Sequence, residues 1–328
     1  MALLEVRNLK TYFKLNEGLI SKITGKQAEI VKAVDNISFD ISESEIVGIV
    51  GETGCGKTTV AKTILLLIRP EAGKVVFENK NLLEMNSNDI RQVRSKVQMI
   101  PQNTMGSLNP RMMVRDIIAE PLRAFRHPKN NGNLWDKVAE LLKTVDLSWD
   151  YANRYPFQLS GGEARRVTIA RSLAINPKLI ICDEPTSGLD VSIGAKILNV
   201  MKQVHDDFQM AYLWISHNLH EVSYISDKIL VFYLGKIVEA GRTSAVFNAP
   251  AHPYTKALIG AMLELGGKSK SKQKDAYLRD EVPSPINPPS GCRFHPRCQS
   301  KGPNCSQAEP QLINVEKDHQ VACANYKD

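Results

Sequence analysis

The chain predicts an α/β fold: a parallel sheet entered through a glycine-rich loop, a flanking antiparallel β subdomain, an inserted helical subdomain and a small cysteine-ligated C-terminal domain. Three observations predict it. The apolar run 45–50 enters the turn Gly51-Glu52-Thr53-Gly54-Cys55-Gly56-Lys57-Thr58 and then a helix-like stretch starting at Thr59. A second apolar strand, Leu179-Ile180-Ile181-Cys182, ends on Asp183-Glu184. Four of the six cysteines, Cys292, Cys298, Cys305 and Cys323, gather near the C-terminus. With 328 residues and 43% hydrophobic content, the chain can bury one large core plus an appendage.

The first element, from Leu3 to Asp40, alternates apolar and polar positions, with Val34, Ile37, Phe39 and Ile41 on one face, which suggests an antiparallel sheet. The run Glu45 to Val50 reads as a buried strand, and the turn after it matches G-x-x-x-x-G-K-[ST] in full. Glycine is needed there because successive backbone N–H groups must converge on phosphate oxygens while the helix start adds partial positive charge. A chance glycine turn would match the same letters, but strand and helix stand on the correct sides. Lys57 then reaches the β- and γ-phosphates, Thr58 takes Mg²⁺, and Cys55 occupies a variable loop position.

Residues 103–174 read as mostly helical, with a polar loop at 126–133. Within them, Leu159-Ser160-Gly161-Gly162-Glu163 reads as a capping box, and the two glycines leave N–H groups that a phosphate can also use. Asp183 and Glu184 stand at the strand end where open α/β sheets place ligand chemistry. Asp183 suits a Mg²⁺ shell and Glu184 suits the group that polarises an attacking water. Cys182, inside the strand, reads as a small buried hydrophobe.

Residues 1–265 form the first expected domain. The glycine- and lysine-rich stretch 266–282 reads as a solvated linker. The tail 283–328 is proline-rich and short of apolar residues, so a metal centre would supply its missing stabilisation. Its spacing, C-x5-C-x6-C-x17-C, departs from the close pairs of structural zinc. Four thiolates on irregular loops also ligate a [4Fe–4S] cluster, and spacing alone leaves the two near even. His295 and His319 lie nearby as alternative ligands.

The longest apolar runs fall far short of the ~18 residues that span a bilayer, and Met1 to Lys10 has no basic-then-apolar leader pattern. A cytoplasmic location follows as an expectation, and a reducing compartment favours metal ligation over disulfides. The net charge of +7 suits an anionic ligand or a membrane surface but forms no localised basic stripe.

The order of these segments, with Gln102 after Val97-Gln98-Met99-Ile100, resembles the ATP-binding subunit of an ABC transporter, a P-loop NTPase with a RecA-like core. The resemblance implies that Tyr12 stacks on adenine and that Gln102 senses Mg²⁺ and the attacking water. It also implies that Asp190, in Ser187-Gly188-Leu189-Asp190, lies at a dimer interface and that His217 contacts the γ-phosphate. Gly188 stands where Ala is usual, Asn103 and Asn218 where Asp is usual, and Glu163 where Gln is commonest.

Ala251-His252-Pro253-Tyr254-Thr255 and Gly291-Cys292-Arg293-Phe294-His295-Pro296-Arg297-Cys298 resemble the C-terminal extension of ATPases from dipeptide and oligopeptide importers. Ser107 to Met112 and Tyr233 to Lys236 look most like the second, F-type, member of their paired ATPases. This likeness favours the [4Fe–4S] cluster over zinc. It further implies a paired homologous ATPase, two integral membrane permease subunits, an extracytoplasmic solute-binding protein and a peripheral place on the cytoplasmic membrane face. Peptide is the implied cargo, with oligosaccharide or nickel as alternatives. A soluble ABC ATPase acting on nucleic acid or the ribosome is the distant alternative. It is opposed by the single ATPase domain and the lack of a coiled coil or nucleic-acid module, so no nucleic acid is expected. A small-molecule kinase fails on the Ser160-Gly161-Gly162 segment.

Overall fold

The computed structural model describes residues 2–15, 29–125, 134–265 and 283–326. The expected polar loop 126–133 and the linker 266–282 lie outside the described residues. In chain order the first elements are β1 (Ala2–Leu15), β2 (Glu29–Ser42), β3 (Ile46–Val50), α1 (Lys57–Ile64), β4 (Ala72–Phe77), β5 (Lys80–Asn81), α2 (Ser87–Lys96) and β6 (Val97–Ile100). There follow α3 (Thr104–Ser107), α4 (Val114–Ala124), α5 (Leu134–Thr144), α6 (Gly161–Leu173), β7 (Leu179–Asp183), α7 (Val191–Phe208), β8 (Ala211–Ser216) and α8 (Leu219–Ile225). The last are β9 (Lys228–Tyr233), β10 (Lys236–Arg242), α9 (Thr243–Asn248), α10 (Pro253–Leu265), β11 (Ile313–Glu316) and β12 (His319–Val321). None of the described helices is long and apolar enough to cross a membrane.

The chain forms two compact units, one of Ser42–Ile46 and Glu84–Ile215, the other of Ala2–Ile41, Val47–Leu83 and Ser216–Asp328. In the first, β6, β7 and β8 run parallel, with Val97 opposite Leu179 and Asp183 opposite Ile215. Both β7 and β8 are buried along their whole length, as parallel strands covered on two faces must be, which is why their sequences lack alternation. Helix α4 packs on α5 and α6, and its Ile117 and Ile118 are buried.

The second unit holds a four-stranded sheet in the order β2-β1-β4-β5, with β1 and β4 antiparallel and Leu4 opposite Phe77. It also holds β3 parallel to β9, followed by the antiparallel neighbours β10, β12 and β11. The C-terminal tail therefore adds strands to a sheet of this unit. Phe294 is fully buried against Tyr233, Tyr254 and His252, with ring centroids 5.3, 5.4 and 5.8 Å away. Glu239, on β10, accepts from His319 Nε2 at 2.8 Å and from the backbone N–H groups of Ala251 and His252, each at 2.8 Å. The tail borrows both its core and its backbone partners from the rest of the unit, so few apolar residues of its own suffice.

His252 is buried. Its Nδ1 accepts from the Tyr254 N–H at 3.1 Å, while Nε2 has no protein partner among the described residues. Burial pulls its pKa down to about 3. The unfolded chain binds the proton and the folded one does not, so stability is lost as pH falls from about 6.5 toward 3. Urea unfolding across that range should give a falling midpoint, and His252→Gln should flatten the dependence. An equal slope in the variant would assign the acid loss to other groups.

Candidate nucleotide site

In the second unit, β3 delivers the chain into the loop Gly51 to Thr58 and α1 leads it out. Gly56 stands at the helix N-cap with φ 112°, and a Cβ there would lie 2.0 Å from the Ala33 carbonyl oxygen. Only glycine fits both demands. Lys57 folds back over the loop. Its Nζ donates to the carbonyls of Gly51 at 2.7 Å and Glu52 at 3.0 Å, which satisfies an ammonium that is only 5% exposed. Thr53 and Gly54 are exposed, while Thr58 and Thr59 are half-buried at the start of α1. Cys55 is buried beside Lys57, and burial pushes its thiol pKa up, which makes it inert.

Tyr12, near the end of β1, donates its hydroxyl to Asp35 at 2.5 Å and keeps a half-exposed ring. Burial and then the Asp35 hydrogen bond raise its phenol pKa, so it stays neutral. His217 follows β8 and is exposed. The turn around it is held by Asn218, which caps α8 by accepting from the His220 N–H at 3.0 Å. Asn caps a helix as well as the Asp usual at this position.

In the first unit, Gln102 Nε2 donates to Glu184 Oε2 at 2.8 Å, joining two residues 82 positions apart. Asp183 ends β7 at 2% exposure, and Glu184 has φ 48°, a left-handed backbone uncommon for a residue with a Cβ. The Glu184 N–H donates to the Ile215 carbonyl at 2.8 Å, which fixes that turn. Ser160 caps α6 as the sequence suggests: its Oγ accepts from the Glu163 N–H at 3.3 Å and its N–H donates to Glu163 Oε2 at 2.7 Å. Tyr151 adds a hydrogen bond to Glu163 at 2.6 Å, and these contacts hold the carboxyl below its ordinary pKa. Ser160 and Gly161 are exposed, whereas Gly162 is buried with room for no Cβ beside Ile193. Asp190 precedes α7 as its N-cap residue.

Two groups escaped the sequence reading. Arg165, buried on α6, donates to the carbonyls of Pro101 at 3.1 Å, Gln102 at 3.2 Å and Ser187 at 3.2 Å, so it ties three segments of this unit together. Burial lowers its pKa, though a guanidinium remains charged. Its only signal is a cation on the buried face of a helix, between Ala164 and Val167. The other group is the tail arginines. Arg297 makes a bidentate pair with Glu52 at 2.9 and 3.1 Å, and Arg293 pairs with Asp35 and the Leu234 carbonyl. The sequence singled out their segment only by likeness.

All six cysteines are free thiols. Burial pushes Cys292 up to about 11 and raises Cys298 and Cys323, and the other tail thiols add to each rise. Among the described residues, no group of three or more His, Cys, Asp or Glu side chains is placed to hold a metal ion.

A phosphate loop, an acidic pair at a parallel strand's end and a capped glycine start to α6 define a P-loop ATPase of the ATP-binding cassette class. The family model described as ABC transporter matches residues 34–187, and that described as oligopeptide/dipeptide transporter, C-terminal region, matches residues 238–305. The oligopeptide transport ATP-binding protein OppF of Salmonella typhimurium is 44% identical over 98% of this chain and 95% of its own length. The oligopeptide transport ATP-binding protein AppF of Bacillus subtilis is 40% identical over 99% of this chain and 97% of its own. A dimeric structure of the ATP-binding cassette MJ0796, in a post-hydrolysis state bound to ADP and Pi, is similar with a TM-score of 0.64 and 26% identity. It covers 73% of this chain and 98% of that one. The chain belongs to the family of ABC transporter ATPases that comprises the oligopeptide and dipeptide transport ATP-binding proteins.

The Gln102–Glu184 contact generates a prediction. Gln102→Ala removes a charge-assisted hydrogen bond, so ATP turnover in the assembled transporter should fall about 10- to 100-fold with the KM for ATP little changed. A raised KM with intact kcat would instead place Gln102 in ground-state binding.

Proposed function

We propose that this chain hydrolyses ATP to power uptake of peptides by an ABC importer, as one ATPase of a homologous pair beneath two integral membrane permease subunits. The observation that carries it is the Gln102–Glu184 hydrogen bond at the end of a buried parallel strand, in a chain that also holds a complete phosphate loop. Near-complete coverage of OppF and AppF, tail included, supports peptide as the cargo. An extracytoplasmic solute-binding protein completes the assembly, and the chain works at the cytoplasmic membrane face.

Lys57 and the loop N–H groups bind the β- and γ-phosphates, Tyr12 stacks on adenine, and His217 contacts the γ-phosphate. Glu184, oriented by Gln102, takes a proton as water attacks the γ-phosphorus and ADP leaves. The Thr58 hydroxyl and the Asp183 carboxylate are hard oxygen donors that fit Mg²⁺, which when bound neutralises phosphate charge. Ser160, Gly161 and Gly162 act on nucleotide held by the partner ATPase, and Asp190 lies at that contact.

Cys292, Cys298, Cys305 and Cys323 take a [4Fe–4S] cluster. Four free thiols, none spent in a disulfide, are the donor set such a cluster needs. The cluster supplies a cross-link among loops. Protein purified without oxygen should be brown and hold about four irons per chain; colourless, iron-free protein would refute the cluster while leaving the ATPase intact.

If Glu184 is the base, Glu184→Gln should retain ATP binding and lose about 10²- to 10⁴-fold in turnover. Near-normal turnover would reassign the base. Ser160→Arg should leave ATP binding to this chain intact and cripple hydrolysis at the partner's phosphate loop. Loss of binding on this chain, with the partner unaffected, would overturn the trans arrangement.

A further inference from the structure

The phosphate loop carries a carboxylate at its second position. A triphosphate gathered by this loop would carry charge of the same sign as Glu52, and like charges repel. The tail answers that charge. Arg297 Nη1 donates to Glu52 Oε2 at 2.9 Å and Nη2 to Oε1 at 3.1 Å, a fork-to-fork pair 245 residues apart in sequence. The Arg297 side chain is 3% exposed and that of Glu52 is 20%. The guanidinium lies 5.8 Å from the Tyr233 ring centroid and 5.9 Å from that of Phe294. Residue 52 is held through its backbone as well: its N–H donates to Tyr254 Oη at 3.1 Å and its carbonyl accepts from Lys57 Nζ at 3.0 Å. The same tail segment sends Arg293 to Asp35, which holds the Tyr12 hydroxyl.

We propose that Arg297 is a positioning residue for ATP: it cancels the charge of Glu52 and fixes the second residue of the phosphate loop, so the segment Cys292–Cys298 sets the affinity of that loop for ATP. The inference rests on the reading that the Lys57 loop binds ATP. An unpaired carboxylate beside the triphosphate weakens binding, and removing the carboxylate reverses the loss. A side chain that merely props the fold has no such reversal.

The test is calorimetric titration of ATP into the full-length chain, with the melting temperature of each variant measured alongside. Arg297→Gln should raise the Kd for ATP about tenfold. Glu52→Gln should tighten binding, and the double variant should return to within about threefold of wild type. Arg297→Lys keeps the charge but loses the fork, so it should fall between wild type and Arg297→Gln. It carries the test should Arg297→Gln fail to fold. A double variant as weak as Arg297→Gln, or an unchanged Kd in Arg297→Gln and Arg297→Lys, would overturn the proposal. Lys57→Ala separates the two readings. Its loss of ATP binding upholds the loop assignment whatever Arg297 does, and wild-type binding in Lys57→Ala would sink that assignment instead.

Discussion

Charge buried in the unit that carries the phosphate loop has to be paired, because an uncompensated buried ion costs several kcal/mol. Lys57, Arg293, Arg297 and Glu239 are all buried there, and each has found polar partners. Lys57 satisfies itself locally on two carbonyls of its own loop. The others reach far along the chain. Arg293 meets Asp35 across 258 residues, Arg297 meets Glu52 across 245, and His319 meets Glu239 across 80. Since each of these three pairs has one member in the tail, pairing helps dictate where the tail lies on its own unit. Hydrophobic burial then follows, with Phe294 filling the space between Tyr233, Tyr254 and His252.

The same rule orders the unit that carries Glu184. Arg165 sits on α6 among apolar neighbours, and among the described residues no carboxylate pairs with it; three carbonyls accept its protons instead. Those carbonyls belong to the chain leaving β6 and to the loop after β7. One guanidinium therefore fixes the backbone on which Gln102 is mounted, and the Gln102 amide in turn holds the Glu184 carboxylate. Glu184 accepts a left-handed backbone at a cost on the order of 1–3 kcal/mol. Its N–H bond to Ile215 and its carbonyl bond from Ser187 hold it there. Strain at this residue is sustained by a network of neighbours and not by its own preference.

Much of this was legible in the sequence, for a physical reason. Phosphate binding and helix capping need fixed residue types at fixed short spacings, so Gly51 to Thr58 and Ser160 to Glu163 announce themselves. Fully buried parallel strands read as unbroken apolar runs, as at β3, β7 and β8. Long-range pairs leave no such mark. Nothing near Glu52 indicates Arg297, and nothing near Gln102 indicates Glu184 without the family likeness. The packing of the tail is illegible for a related reason: counting its few apolar residues treats it as a body that must stabilise itself. In fact β12 borrows backbone partners from β10, and the charge pairs come from elsewhere in the unit.

The segment 292–298 shows how local stiffness joins two kinds of chemistry. Three turn hydrogen bonds span it: His295 N to Cys292 O at 2.9 Å, Arg297 N to Phe294 O at 3.0 Å and Cys298 N to His295 O at 3.3 Å. The Cys292 N–H is also tied to the Cys305 carbonyl at 2.8 Å. Seven residues are bound this way, with thiols at both ends, guanidiniums just inside them and Phe294 buried in the aromatic cluster. A ligand gripping the thiols and a carboxylate gripping a guanidinium therefore constrain the same backbone. Whatever orders one set of groups lowers the conformational entropy left to be lost in ordering the other. Coupling between the cysteines and the carboxylates of Asp35, on β2, and Glu52, in the phosphate loop, would need no charge transmitted along the chain, only a turn too short and too well hydrogen-bonded to bend.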